Sequence, residues 1–409
     1  MDKIEDKNER VASTAHDSSA KLIEEVKAKI AGPNSVATTS DAAKSVIPPY
    51  LLQEMAKRNP TDDSFNQTLT ITQKEKIGPF EPRVPSGANG AREVYDAKGT
   101  ETHPGDKVRF EGDPASNNND ADKVYDYTGE VRDYYKNVLG RDSIDNKGMK
   151  MISTVNYGQN FQNAFWNGKQ MTYGHPSDAS PFKTFALLDV TGHEITHGVT
   201  QNTSGILYWG QAGALNESIS DVFGELIQQH ALGQSAAQAD WVVGDGIWKD
   251  GIKGRGLRDM LNPGTAYDDP KIGKDPQPGH MKDYVSTWKD NGGVHYNSGI
   301  PNHAFALFAT SVGGNAWDKP GKIWYEATQH IGMLPSFASF AEQTIIAAKK
   351  LGTPDDVAKL KKAWADVGVA PSLRARDTLT PNEPVGPAED KEQDRNGPIL
   401  DPAPRKKAS

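Results

Sequence analysis

His193-Glu194-Ile195-Thr196-His197 is the stretch that decides how this chain is read. On a helix, positions i and i+4 share one face, so both imidazoles can reach a single zinc ion. Glu194 sits one position along, beside the metal's open coordination site, where it can take a proton from bound water. Two histidines on a core helix can also be purely structural, so the motif needs support from elsewhere. That support comes 20 residues later, in Gly213-Ala214-Leu215-Asn216-Glu217-Ser218-Ile219-Ser220-Asp221. This reads as the start of a second helix, with Glu217 and Asp221 at i, i+4 on one face. A catalytic zinc takes three protein ligands and keeps a fourth position for water. Glu217 suits the third ligand, and Asp221 can orient an imidazole from behind it.

Composition narrows the alternatives. The 409 residues include no cysteine, which removes thiol catalysis, disulfide scaffolds, Fe–S clusters and Cys-type zinc fingers together. Any metal site must be built from histidines and carboxylates. The 46 Lys+Arg against 54 Asp+Glu leave a net charge of −8, which argues against a nucleic-acid partner. No apolar run approaches a membrane span of ~18 residues. The N-terminus, charged from Asp2 and without an apolar core, does not read as a secretory signal.

Outward from the motif, the chain divides into blocks. Residues 1–60 read as an attachment. Within them Ser18 or Ser19 can cap a helix carrying Leu22, Ile23, Val26 and Ile30, which Gly32-Pro33 stops. Pro48-Pro49 predicts extended backbone before a short helical run at Tyr50-Leu51-Leu52. From 64 to 112, Leu69 and Ile71, Val94 and Tyr95, then Val108 and Phe110 predict strands of an antiparallel sheet. Asp120 to Leu139 predicts an amphipathic helix with Val124, Tyr127, Val131, Tyr134, Tyr135 and Val138 on one side. Strand character returns at Met149–Tyr157, and helical patterns dominate from 185 to about 368. Residues 371–409, with 7 prolines and no aromatic residue, read as a disordered tail.

Taken together, these motifs resemble the thermolysin-like zinc metallopeptidases, in order across most of 90–368. Asn163-Ala164-Phe165-Trp166-Asn167-Gly168 is similar to the family's substrate-binding edge strand. His193, Glu194 and His197 match its zinc motif, and Glu217 with Asp221 the third ligand and its partner. Tyr208 lies where the family keeps a catalytic tyrosine. Arg258 matches the arginine that grips the substrate carbonyl, and Val190, Val243 and Leu257 match apolar pocket positions. Asp290-Asn291-Gly292-Gly293-Val294-His295-Tyr296-Asn297-Ser298-Gly299 matches the segment bearing a second catalytic histidine, His295, oriented by Asp290. Pro48-Pro49-Tyr50-Leu51-Leu52 resembles the propeptide motif of the protealysin-like group.

The resemblance implies an α+β fold with two lobes, the zinc helix running between them at the floor of the cleft. It divides the chain into a propeptide (1–60), a β-rich lobe (61–188), an α-helical lobe (189–370) and the tail. It implies a zinc endopeptidase with Glu194 as general base, His295 and Tyr208 on the oxyanion, and Asn163 and Ala164 holding the substrate as an added strand. A bulky hydrophobic residue is expected just after the cut. The propeptide is expected to lay Pro48–Leu52 in the cleft until cleavage near Asn59–Phe65; a partner-binding module or a folding aid is the alternative. Asp189, Asp240 and Asp245 stand at calcium-site positions, but Gln228 and Val242 replace expected acids. That predicts one calcium ion or none. Expected partners are protein and peptide substrates and the chain's own propeptide, with the enzyme a monomer. Secretion follows from the resemblance, with a cytoplasmic location the alternative that the missing signal leaves.

Two rival readings are weaker. Aminopeptidases share the zinc motif, but their Gly-Ala-Met-Glu-Asn amine-recognition motif is absent here. A zinc-stabilised binding protein requires a lost catalytic group, and Glu194, Tyr208 and His295 are all present.

Overall fold

The computed structural model describes residues 44–75 and 90–373. The helix expected after Ser18 and nearly all of the expected tail lie outside the described residues. No helix among those described is long and apolar enough to cross a membrane.

A six-stranded sheet occupies the first half. It contains β1 (Lys44–Ser45), β2 (Arg92–Asp96), β3 (Asp106–Phe110), β4 (Met151–Val155), β5 (Ala164–Trp166) and β6 (Met171–Tyr173). Their spatial order is β1-β5-β6-β4-β2-β3. The sheet is mixed: β4 pairs in parallel with both β2 and β6, and the other pairings are antiparallel. β1 comes from the N-terminal block and lies against β5 with Lys44 opposite Trp166 and Ser45 opposite Phe165.

The helical pair α1 (Pro49–Arg58) and α2 (Ser64–Lys74) follows β1 and packs on itself. Pro48 is extended (φ −63°, ψ 143°), as the sequence predicts, but Pro49, also expected extended, already opens α1, where its missing N–H is harmless. Residues 64–74 depart from expectation. Leu69 and Ile71 alternate as a strand would, yet the segment is helical, because Phe65, Thr68 and Ile71 form the buried stripe of one helix face. Tertiary packing of that stripe overrides a short alternation. The expected boundary at residue 60 therefore falls between two helices that pack together. Ser64 and Phe65, at the end of the expected cleavage stretch, are buried.

Helix α3 (Asn119–Asn137) starts where Asn118 accepts the Ala121 amide at 3.1 Å, with Asp120 and Asp122 in its first turn. It buries Val124, Tyr125, Val131, Tyr134 and Tyr135, while Tyr127 and Val138 are only half-buried. The second half is built on α4 (Leu188–Gln201) and α5 (Gly210–Leu232), both buried along most of their length. Residues 233–289 are turns, two-residue strands and one short 3-10 helix (Met281–Asp283), including β7 (Val242–Val243) paired with β8 (Arg258–Asp259), where helical patterns were expected. Helices α6 (Asp290–Asn297), α7 (Gly299–Val312), α8 (Lys319–Gln329), α9 (Phe337–Leu351) and α10 (Pro354–Asp366) complete the lobe.

Candidate active site

Every residue of α4 from Asp189 to Thr200 is buried, so neither imidazole of its motif is solvated. The Nε2 atoms of His193 and His197 are 3.1 Å apart. Helix α5 brings Glu217 to them: its Oε2 lies 3.5 Å from His193 Nε2 and its Oε1 3.3 Å from His197 Nε2. These three side chains offer ligand atoms within 4.8 Å of one another, the one such group among the described residues.

The arrangement fits a metal ion. Each imidazole turns its Nδ1 outward, His193 to Asp221 Oδ1 at 2.8 Å and His197 to Asn216 Oδ1 at 2.7 Å, which leaves both Nε2 atoms facing the centre. Glu217 Oε2 is buried without a hydrogen-bond donor, a cost that a cation would remove. Burial holds His197 at about pKa 4, so it is neutral and its lone pair is free for a ligand bond. Burial alone would raise Glu217, but the neighbouring imidazoles, charged His295 first, outweigh it and hold the carboxylate well below its usual range.

Glu194 points into the same space. The Trp166 amide donates to its Oε2 at 2.9 Å, and its Oε1 has no partner. Burial, reinforced by Glu217, pushes its pKa well above the usual carboxylate value. On the far side, Tyr208 donates to Glu217 Oε1, and its hydroxyl lies 3.2 Å from His295 Nε2. Asp290 grips His295 twice, through Nδ1 at 2.6 Å and through its backbone amide at 2.8 Å. Burial alone would lower His295, but Asp290 and Glu217 raise it to about 9. The histidine reaches the site because Asp290, Asn291, Gly292 and Gly293 all take left-handed φ values, from 51° to 81°. A Cβ on Gly292 would sit 3.0 Å from the Gly210 amide nitrogen, so the Asn-Gly-Gly run is required by the bend itself.

The N-terminal strand fills the groove between these groups. His295 Nε2 meets the Ser45 carbonyl at 3.0 Å. Arg258 Nη1 donates to the Val46 carbonyl at 3.0 Å, and the Val46 amide donates to Ala164 O at 3.2 Å. Asn163 holds Ile47 at both ends, accepting its amide at 3.0 Å and donating to its carbonyl at 3.2 Å. Val46 and Ile47 are fully buried in the apolar cluster that contains Val190, Val243 and Leu257. Expectation put Pro48–Leu52 in the cleft; the occupant is Lys44–Ile47, because Pro49 starts α1 and a helix cannot add to a strand edge.

The two family models that match the chain describe the thermolysin metallopeptidase catalytic domain, over residues 61–201, and its alpha-helical domain, over 204–369. The chain belongs to the thermolysin metallopeptidase family. It is 43% identical over 337 residues to an extracellular metalloprotease of Pectobacterium carotovorum subsp. carotovorum, covering 80% of this chain and 96% of that protein. It is 42% identical over 343 residues to protease PrtS of Photorhabdus sp., covering 80% and 92%. Among solved structures it matches the precursor of protealysin, a metalloproteinase from Serratia proteamaculans. That match has a TM-score of 0.73 and 44% identity, over 80% of this chain and all of that one. The protein is thus a protealysin-like metallopeptidase with a His193/His197/Glu217 zinc-binding triad.

Several residues of this thermolysin-type site carry no local sequence signal. Asn216 orients His197, and Asn302 donates to Asp221 at 2.8 Å. Asp221 also receives a two-pronged contact from Arg258, at 2.8 and 2.7 Å, and so ties His193 on α4 to Arg258 on β8. Among the described residues, no three of the acids around the expected calcium positions bring ligand oxygens within 4.8 Å of one another. One oxygen of Asp189 accepts the Val190 amide at 2.8 Å and the other the Gly244 amide, while Asp240 accepts the Val242 amide at 3.1 Å. Asp245 is exposed. Glu225, missed in the sequence, is buried beside Asp189 and Asp240, and that burial raises it well above the usual carboxylate range.

Proposed function

We propose that this metallopeptidase hydrolyses internal peptide bonds with a water activated by Glu194, and that its N-terminal block inhibits it until removed. The observation that carries this reading is the unpartnered, buried Oε1 of Glu194 beside three converging ligand atoms. His193, His197 and Glu217 would hold the ion; zinc, when bound, lowers the pKa of its water towards ~7 and polarises the carbonyl. Glu194, with its raised proton affinity, takes the water's proton and hands it to the leaving nitrogen. His295, charged at neutral pH, and Tyr208 donate to the developing oxyanion, where one donor can contribute ~3–4 kcal/mol. Arg258 and Asn163 hold the chain on the far side of the cut. The complete burial of Val46 in the hydrophobic core supports a preference for a bulky apolar residue just after the scissile bond. Inhibition is supported by Lys44–Ile47 lying on the strand edge that a substrate needs. The extracellular names of two relatives support action outside the cell.

Glu194→Gln is the test. The variant should retain one zinc per chain by metal analysis and lose at least ~10³-fold in kcat on a casein-derived peptide. Retention of turnover removes Glu194 from the mechanism.

A further inference from the structure

We propose that Trp209 and Trp288 form a binding surface for an apolar side chain of the substrate, at the fourth residue before the scissile bond. The role rests on the peptidase mechanism above and lengthens its cleft on the side that precedes the cut.

Trp288 is 49% exposed, and every other aromatic side chain among the described residues is buried or half-buried. It packs on Trp209, with ring centroids 5.8 Å apart and planes tilted by 49°. Two adjoining indoles at the surface offer a broad, rigid apolar area of the kind enriched at binding sites. The pair stands where both oxyanion donors enter the site. Trp209 follows Tyr208, and its carbonyl accepts the Gly213 amide at 3.0 Å, so the first turn of α5 fixes it. Trp288 precedes Asp290, the partner of His295. Its segment is tied down by Asn297, which accepts the Val285 amide and donates to the Val285 carbonyl, both at 2.9 Å. Gly292 lies against the Trp209 ring, where a Cβ would come within 3.3 Å of Cε2. The backbone that carries the catalytic groups therefore carries the two rings as well.

The strand in the cleft marks the path of a substrate. Ser45, whose carbonyl meets His295, stands at the residue before the cut, and Lys44 at the second before it. Lys44 brings its Nζ to 5.8 Å from the centroid of the Tyr208 ring, so this face of the strand looks toward Tyr208. Alternate residues of a strand share a face, so the fourth residue before the cut lies on the same side, about 6–7 Å further along. Trp209, next in the chain after Tyr208, and Trp288 beside it supply the apolar surface there. Main-chain pairing gives out at the same place, because β5 ends at Trp166, directly opposite Lys44. A substrate that extends further upstream finds no more backbone partners on this strand, and side-chain contact has to hold it. Flat, uncharged indole faces suit an apolar partner, and an aromatic ring best, through offset or edge contact. A contact this far from the reacting bond is the same in the ground and transition states, so it acts on KM.

The experiment uses enzyme prepared from the full-length, zinc-loaded chain once it is active on casein. Peptides identical from the second residue before the cut onward carry Phe or Gly at the fourth position, and a shorter one begins at the second. Wild type should favour Phe over Gly about tenfold in kcat/KM, mostly through KM. Trp288→Ala should cut that preference to about twofold or less, and Trp288→Phe should keep most of it. The preference is a ratio within one enzyme, so a smaller folded fraction in a variant leaves it unchanged. Phe moved to the third position, on the opposite face, should bring no gain. Equal rates on Phe and Gly peptides in wild type would overturn the inference and leave the peptidase mechanism standing. So would a Trp288→Ala enzyme that loses equally on the long and short peptides, because the pair would then only brace the oxyanion donors. A chain that cleaves neither casein nor any peptide would overturn mechanism and inference together.

Discussion

At the scale of single residues, Asn163 carries more of the cleft than its lone side chain suggests. Its amide group makes two hydrogen bonds to Ile47 and its oxygen also accepts the Ala164 amide, which keeps the carboxamide from turning. At about 1 kcal/mol for each bond to the ligand, Asn163→Ala should weaken peptide binding about tenfold or more. The effect should fall mainly on KM, because these bonds are made equally in ground and transition states. A fall confined to kcat would show that Asn163 acts on the reacting bond instead. Asp221 is the contrasting case, a single carboxylate that accepts from His193, Arg258 and Asn302 at once. The Arg258 charge and the His193 contact outweigh its burial and keep it ionised.

Between elements, the close crossing of α4 and α5 sets the zinc ligands. The helices touch at Gly192 and Gly224, where a Cβ on Gly224 would lie 2.5 Å from the Asp189 carbonyl oxygen. Gly224→Ala must therefore push the helices apart, at a cost of about 2–3 kcal/mol. Calorimetry should show a melting temperature several degrees lower and, since Glu217 rides on α5, weaker zinc retention. An unchanged melting temperature would show that the crossing has slack. The sheet is fixed to α3 by a different device: Glu111 accepts from Arg92 and Arg132, and Arg92 also donates to the Tyr125 carbonyl of α3. The hydrogen bond from Arg92 lowers Glu111 to about pKa 2 from an ordinary 4.5. A depressed carboxylate stabilises the fold fully above pH 4.5 and loses that contribution as pH falls toward about 2. Partial exposure of the pair keeps the effect modest. Urea midpoints of wild type and Glu111→Gln should differ at pH 6 and converge near pH 2, and a constant difference would refute the linkage.

For the whole molecule, the two lobes and the N-terminal block meet around one buried polar centre that a metal completes. An ion that binds the folded chain and not the unfolded one adds stability by mass action. Chelation should lower the melting temperature of the full-length protein, and added zinc should restore it. Identical transitions with and without chelator would mean that the imidazole–carboxylate cluster is satisfied without the ion.

The sequence alone determined the parts that close on themselves within a few residues. The i, i+4 pairs His193/His197 and Glu217/Asp221 are geometric consequences of helix pitch. The same local logic fixed α1 after Pro48 and the amphipathic α3. It misread residues 64–74, because Leu69 and Ile71 suit a strand until Phe65, Thr68 and Ile71 find a common surface. Only the tertiary structure decided which segment lies in the cleft, since Ser45 and His295 are 250 residues apart and no spacing rule links them. The ties from Asp221 to Arg258 and Asn302, across 37 and 81 residues, are of the same kind. Helical periodicity is a property of neighbours along the chain, whereas the register of a strand on an edge is set by every contact the folded groove makes with it.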